Sequence, residues 1–248
     1  MAASVKGFPM RTLLILLLTA AATPVMAQCP ADADFLTVNR PLDAARAEVA
    51  DGRLTILAMG SSSIEGVGAS APELSFVPLL ERGLEARLPG VEVTVVNKGI
   101  GGENAGQTAA RFPAEIEAAA PDLILWQLGA NDVLQDRTED AFLTDFRAGQ
   151  DLLADSDADV IVIDSQRVPE NRDLDFIRGR NPALSAFAAL TALEAGRVGY
   201  GVFHRFDTMA GWSELDDGGV GPDGLHLNDA GYACWAELTA ESLAGALR

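Results

Sequence analysis

Short apolar runs bounded by turn residues recur along this chain: RLTILAMG at 53–60, VEVTVVN at 91–97, DLILWQLG at 122–129, DVIVID at 159–164 and GYGVFHRF at 199–206. Most are nearly continuous rather than alternating, as strands are when both faces of their sheet are covered. Between them, apolar positions return at helical spacing over 74–88, 107–119, 139–155 and 182–195, and a last helix is expected after Asn228. Strands alternating with helices predict one α/β domain, a three-layer α/β/α sandwich around about five mostly parallel strands.

The opening segment stands outside that pattern. Lys6 and Arg11 precede TLLILLLTAAATPVMA, an apolar stretch too short for a stable membrane span and followed by the small residues Val25 and Ala27. Residues 1–27 therefore read as a signal peptide, leaving Gln28 as the mature N-terminus and 28–248 as the domain. Gln28 also stands where a lipoprotein signal would need a small residue before Cys29. The expected location is exported, periplasmic or secreted, with no stable membrane insertion after cleavage. No internal repeat or linker divides the rest, which is long enough for one substantial core.

Charge narrows the partners. Removing Lys6 and Arg11 leaves 16 basic against 36 acidic residues. Such a surface repels nucleic acid phosphates and anionic membranes, so neither is an expected partner. Cys29 and Cys234, the only cysteines, would meet in an oxidising compartment and are expected to form a disulfide. Far apart and without His or Cys neighbours, they offer no zinc spacing. Oligomeric state is not legible.

Open parallel sheets carry their sites beyond the carboxyl ends of the strands. Three unusual stretches fall there: GSSSIEG after the first run, NKGIGGENAG after the second and QLGAND after the third. Turn glycines alone are weak evidence. A serine needs a base to become a nucleophile, and the chain has two histidines. His204 lies inside an apolar run and is expected to be structural. His226 lies in the turn-rich GPDGLHLNDAGY, three residues after Asp223, where a short loop lets the carboxylate hold one imidazole nitrogen while the other faces a serine. By itself the pair also reads as a turn carboxylate and a surface histidine.

Together the four stretches resemble the SGNH (GDSL-type) hydrolase family over essentially the whole mature chain. The family's first block falls on Gly60, Ser61 and Ser62, with Ser61 in place of the usual aspartate and Ile64 in place of a frequent threonine. Its N-x-G-x-x-G block falls on Asn97, Gly99 and Gly102, its G-x-N-D block on Gly129, Asn131 and Asp132, and its D-x-x-H block on Asp223 and His226. The resemblance implies a flavodoxin-like sheet and a serine esterase, with Ser62 as nucleophile, His226 as base and Asp223 orienting it. Ser62 and Gly102 would supply backbone oxyanion donors and Asn131 an amide donor. Ser63 is the competing nucleophile. No metal or organic cofactor is implied.

Other readings fit less well. An α/β-hydrolase elbow needs a glycine where Ile64 stands, the Gly99, Gly101, Asn104 spacing misses the third glycine of a dinucleotide fingerprint, and no lysine follows the glycines as in a P-loop. A non-catalytic glycan-binding relative is the rival from another class. The connections are short and polar, with no large apolar insertion to cover a long acyl tail, so short-chain esters are expected, O-acetyl groups on carbohydrate among them, with lysophospholipase or thioesterase chemistry as the alternative. Arg167, Arg172, Arg178 and Arg180 crowd the segment 165–181, either as salt-bridge partners or as a border to the substrate.

Overall fold

The computed structural model describes Met1, Cys29, residues 35–172 and residues 174–248. Apart from Met1, the expected signal segment lies outside the described residues. Six strands form one sheet: β1 (Leu36–Thr37), β2 (Arg53–Gly60), β3 (Glu92–Gly99), β4 (Leu123–Gln127), β5 (Asp159–Ile163) and β6 (Gly201–Phe203). Their order is β1-β6-β5-β4-β2-β3, and all neighbours are parallel except the short β1, which pairs antiparallel with β6. The five parallel strands thus have the flavodoxin-like order, reversing direction of progression at β2 and β4. The edge strand β1 is an addition to the expected five.

Alternation along each strand sorts the core onto two faces. Leu54, Ile56 and Ala58 of β2 meet Phe76, Leu80 and Leu84 of one helix and Tyr232, Trp235 and Leu243 of another. Leu57 and Met59, one position out of phase, meet Phe112, Phe142, Phe146 and Leu184 on the opposite face. The helices that cover the sheet are α1 (Asp43–Ala50), α3 (Phe76–Arg87) and α10 (Asp229–Ala246) on the first face, and α4 (Ala105–Ala109), α5 (Phe112–Ala119), α7 (Glu139–Leu153) and α8 (Asn181–Val198) on the second. Every residue of β4 and β5 is buried, which is why their sequences run apolar from 123 to 126 and from 160 to 163.

Three short helices, α2 (Ser62–Glu65), α6 (Ala130–Leu134) and α9 (Arg205–Thr208), start just beyond the carboxyl ends of β2, β4 and β6. The last shortens an expected strand: GYGVFHRF pairs only over 201–203, because the buried Asp164 carboxylate accepts the Phe206 N–H at 2.9 Å and turns the chain into α9. The expected helix over 107–119 is two helices, broken where Pro113 in the first turn of α5 removes a backbone donor. Cys29 and the fully buried Cys234 of α10 are joined as a disulfide with Cα atoms 5.3 Å apart. Among the described residues no helix is long and apolar enough to cross a membrane.

Candidate active site

Ser62 opens α2 directly after β2, and the three serines of GSSS leave the turn in three directions. Ser61, still extended, donates its N–H and its hydroxyl to Gln127 Oε1 at the end of β4, at 2.9 and 3.0 Å. The buried Ser63 donates to Gln166 Oε1 at 3.0 Å. Ser62 Oγ lies 3.0 Å from His226 Nε2. His226 Nδ1 in turn lies 2.6 Å from Asp223 Oδ2. With the carboxylate on Nδ1, that nitrogen carries the proton and Nε2 is left as the acceptor facing Ser62.

The loop that carries this pair is built by Asp223 itself. Its other oxygen accepts the backbone N–H groups of Leu225 and His226, both at 3.0 Å, so one carboxylate fixes the turn and the ring together. Burial raises the Asp223 carboxyl, but the His226 ring and the two backbone donors outweigh it and hold it below the ordinary carboxylate value. It is therefore ionised at neutral pH and suited to stabilising an imidazolium.

Gly99, Gly102 and Asn131 lie on segments tied to α2 and to one another. Gly99 lets the end of β3 pass against α2: a Cβ there would sit 2.1 Å from the Glu65 backbone nitrogen. Asn97 ties the same helix end, donating to Ile64 O at 2.8 Å. The loop beyond is pinned by Glu65, which accepts the Gly101 N–H at 2.7 Å, and by Gln135, which donates to Gly102 O at 2.7 Å. A Cβ on Gly101 would be 3.8 Å from Ser62 Cβ, so this loop borders Ser62. Asn131 Nδ2 donates to Glu103 O at 2.8 Å, which sets its amide beside Gly102 with a second N–H to spare. Asp132, fully buried and raised by burial, accepts the Ala105 N–H at 3.1 Å and joins α6 to α4.

His204 lies apart, its Nε2 2.9 Å from Thr37 Oγ1 at the β1 edge of the sheet. The arginine-rich segment is largely engaged with carboxylates: Arg167 with Glu170, Arg178 with Asp175 and Arg180 with Asp136. A cleft of about 480 Å³ borders it, lined by Arg167, Glu170, Arg172, Met209, Trp212 and Val220. Val220 pairs with Leu227 and Arg172 reaches Pro222 O at 3.5 Å, so the cleft backs onto the loop of Asp223 and His226. Among the described residues no group of His, Cys, Asp and Glu is placed to hold a metal ion. Sequence reasoning missed Gln127, Gln166 and Gly68, which contact the serine turn or the His226 loop. For the two glutamines the available signal was a polar residue at or just past the carboxyl end of a buried strand.

A curated arylesterase from Vibrio mimicus is 33% identical over 120 residues, covering 47% of this chain and 56% of that protein. The match thus spans about half the length of that relative. Among solved structures, a two-domain esterase active on acetylated mannans superposes with a TM-score of 0.65 at 21% identity, covering 83% of this chain and 54% of that one. TesA gives 0.64 at 21% identity over 77% of this chain and 99% of its own. The acetyl xylan esterase AlAXEase gives 0.64 at 18% identity, over 77% and 100%. At these identities the superpositions speak to the fold. A family model of non-GDSL lipase-like proteins matches residues 28–247, and a first block reading GSSS in place of GDSL accords with that description. The chain belongs to the non-GDSL lipase-like family.

Proposed function

We propose that this chain is an exported serine esterase that cleaves short-chain carboxylic esters through an acyl-enzyme. The observation that carries the reading is the unbroken run from Ser62 Oγ through His226 to Asp223, at 3.0 and 2.6 Å, beyond the carboxyl edge of the sheet. Ser62 Oγ bonds to the acyl carbon while His226 Nε2 takes its proton. The imidazolium then gives that proton to the departing alkoxide, and water repeats the sequence to release the acid. Asp223 keeps the ring in the required tautomer throughout. The carbonyl oxygen becomes an oxyanion facing the N–H groups of Ser62 and Gly102 and the spare N–H of Asn131; loss of one such donor costs about 10²–10³ in rate. No step needs a metal or cofactor.

The names of similar proteins support ester hydrolysis, and two of them name acetylated polysaccharides or xylan. Removal of O-acetyl groups from carbohydrate outside the cytoplasm is the substrate reading we draw from them. The test is hydrolysis of p-nitrophenyl acetate by the wild type and by Ser62→Ala and His226→Ala. Each variant is expected to lose several orders of magnitude, and the pair together little more than either alone. Normal turnover by Ser62→Ala would overturn the assignment, and binding of a glycan without turnover would favour a non-catalytic relative. Across p-nitrophenyl esters of increasing acyl length, kcat/KM is expected to fall beyond short chains; a maximum at long chains would favour lysolipid or thioester substrates.

A further inference from the structure

One peptide unit in the His226 loop is held from both sides. The peptide between Leu225 and His226 has its N–H on Asp223 Oδ1 at 3.0 Å and its C=O on Gln166 Nε2 at 2.8 Å. Gln166 is itself buried, and its other end, Oε1, accepts from Ser63, the residue next to Ser62. A single amide thus spans from the backbone of His226 to the turn that presents Ser62.

The direction of this chain is set by a buried cation. Arg205 Nη2 lies 3.3 Å from Ser63 Oγ, and a guanidinium has only donors. Ser63 must therefore accept from Arg205 and donate to Gln166. Gln166 must then turn its oxygen to Ser63 and its NH₂ to Leu225 O. Arg205 is fully buried, stacked 4.1 Å over the Trp235 ring, and burial lowers its pKa only to about 10, so it is cationic at neutral pH. Its Nε and Nη1 have no protein acceptor, which leaves Ser63 as its one side-chain hydrogen bond among the described residues.

We propose that Gln166 is a positioning residue, oriented by Ser63 and Arg205, that sets the separation of His226 and Ser62. The proposal rests on the esterase reading above. Asp223 holds the ring to the turn, and among the described residues Gln166 is the buried side chain that ties that turn to the helix of Ser62. Gln166→Met keeps the length and removes both hydrogen bonds. It is expected to lower kcat on p-nitrophenyl acetate by ~10- to 100-fold with KM unchanged, because displacements of an ångström cost about that much. The Ser63→Ala variant should lose less, and Ser63→Ala/Gln166→Met no more than Gln166→Met alone, since the two lie on one chain.

Amide hydrogen exchange at His226 supplies a readout that does not depend on turnover. Its protection is expected to fall in Gln166→Met while that of β4 and β5 amides is unchanged. Wild-type kcat, or a loss of kcat with His226 protection intact, would overturn the positioning role. If Gln166→Met loses protection across β4 and β5 as well, Ser63→Ala, which removes one hydroxyl, decides instead: lowered kcat with lowered His226 protection supports the role, and wild-type kcat overturns it. If the wild type does not hydrolyse esters, the esterase reading fails separately, and the exchange measurement still decides whether Gln166 tethers the loop.

Discussion

Gly68 lies behind His226, and replacing it with alanine should displace the ring proposed as the base without changing it chemically. A Cβ at this position would fall 2.4 Å from Leu227 O and 2.9 Å from His226 Cβ. Ordinary contact begins near 3.4 Å, so something must move by about 1 Å. The turn around Gly68 has little freedom to yield: Tyr232 OH donates to Val67 O at 2.7 Å, and Ser70 N–H donates to Asp229 at 2.8 Å. The shift therefore falls on residues 226–227, and in the role proposed for His226 a displacement of an ångström is worth ~10²-fold in rate. Gly68 also has φ +97°, where alanine costs roughly 1–2 kcal/mol. Gly90 separates the two effects. Its φ is +88°, but a Cβ there meets nothing within 4 Å. Both Gly→Ala variants carry the φ cost and Gly68→Ala adds the clash, so both should lose thermal stability, Gly68→Ala the more, while only Gly68→Ala loses kcat on p-nitrophenyl acetate. Equal activity in the two variants would refute the argument that Gly68 makes room for His226.

Two stability predictions follow from the same structure. Cys29 and Cys234 close a loop of sequence separation 205, for which chain entropy allows up to ~5 kcal/mol; Cys29→Ser should lower the denaturant midpoint, and an unchanged midpoint would show the bridge to be absent or idle. Asp164 is buried at the end of β5, where burial raises its carboxyl from 3.8 to about 7. The folded state thus holds this proton more tightly than the unfolded chain, so its contribution is complete below the unfolded pKa and is lost as pH rises from 3.8 through about 7. At about 1.4 kcal/mol per pH unit the loss is on the order of 4 kcal/mol, and Asp164→Asn should remove that slope in urea titrations between pH 4 and pH 8. A variant with the same slope as the wild type would refute the assignment.

What the sequence discloses follows the range of the interaction that decides each feature. The five parallel strands were readable because burial on both faces leaves long apolar runs, as in LILWQ and DVIVI. The edge strand β1 is two residues long and exists because His204 N–H finds Phe35 O at 2.8 Å, a partner no local pattern announces. Helix α1 buries only Ala45 and is anchored where Asp159 accepts the Ala45 N–H at 3.0 Å, again a distant contact. At the site, Asp223 and His226 were legible because their geometry is made within one turn. Gln166 was not, since its link to Leu225 spans 59 residues and a polar residue after a strand has many other uses.

The serine run illustrates how one turn assigns different work to identical side chains. Where an extended residue enters a helix, consecutive side chains leave the backbone in widely separated directions. Ser61 ends its strand-like stretch facing Gln127 on β4, Ser62 points out to the His226 loop, and Ser63 points inward to Gln166 and Arg205. Neither flanking hydroxyl competes for His226, because each is buried and already donates to a glutamine oxygen. Those two bonds fix the turn to β4 and to the loop after β5, so the serine between them is held at a set distance from an imidazole whose preceding carbonyl, Leu225 O, is fastened to Gln166. An aspartate at 61, usual in the GDSL pattern, would set a buried carboxylate against Gln127 Oε1, an acceptor facing an acceptor. The departure at Ser61 and the glutamine that closes β4 are therefore one local solution, in which neutral hydroxyl-to-amide bonds do the fastening.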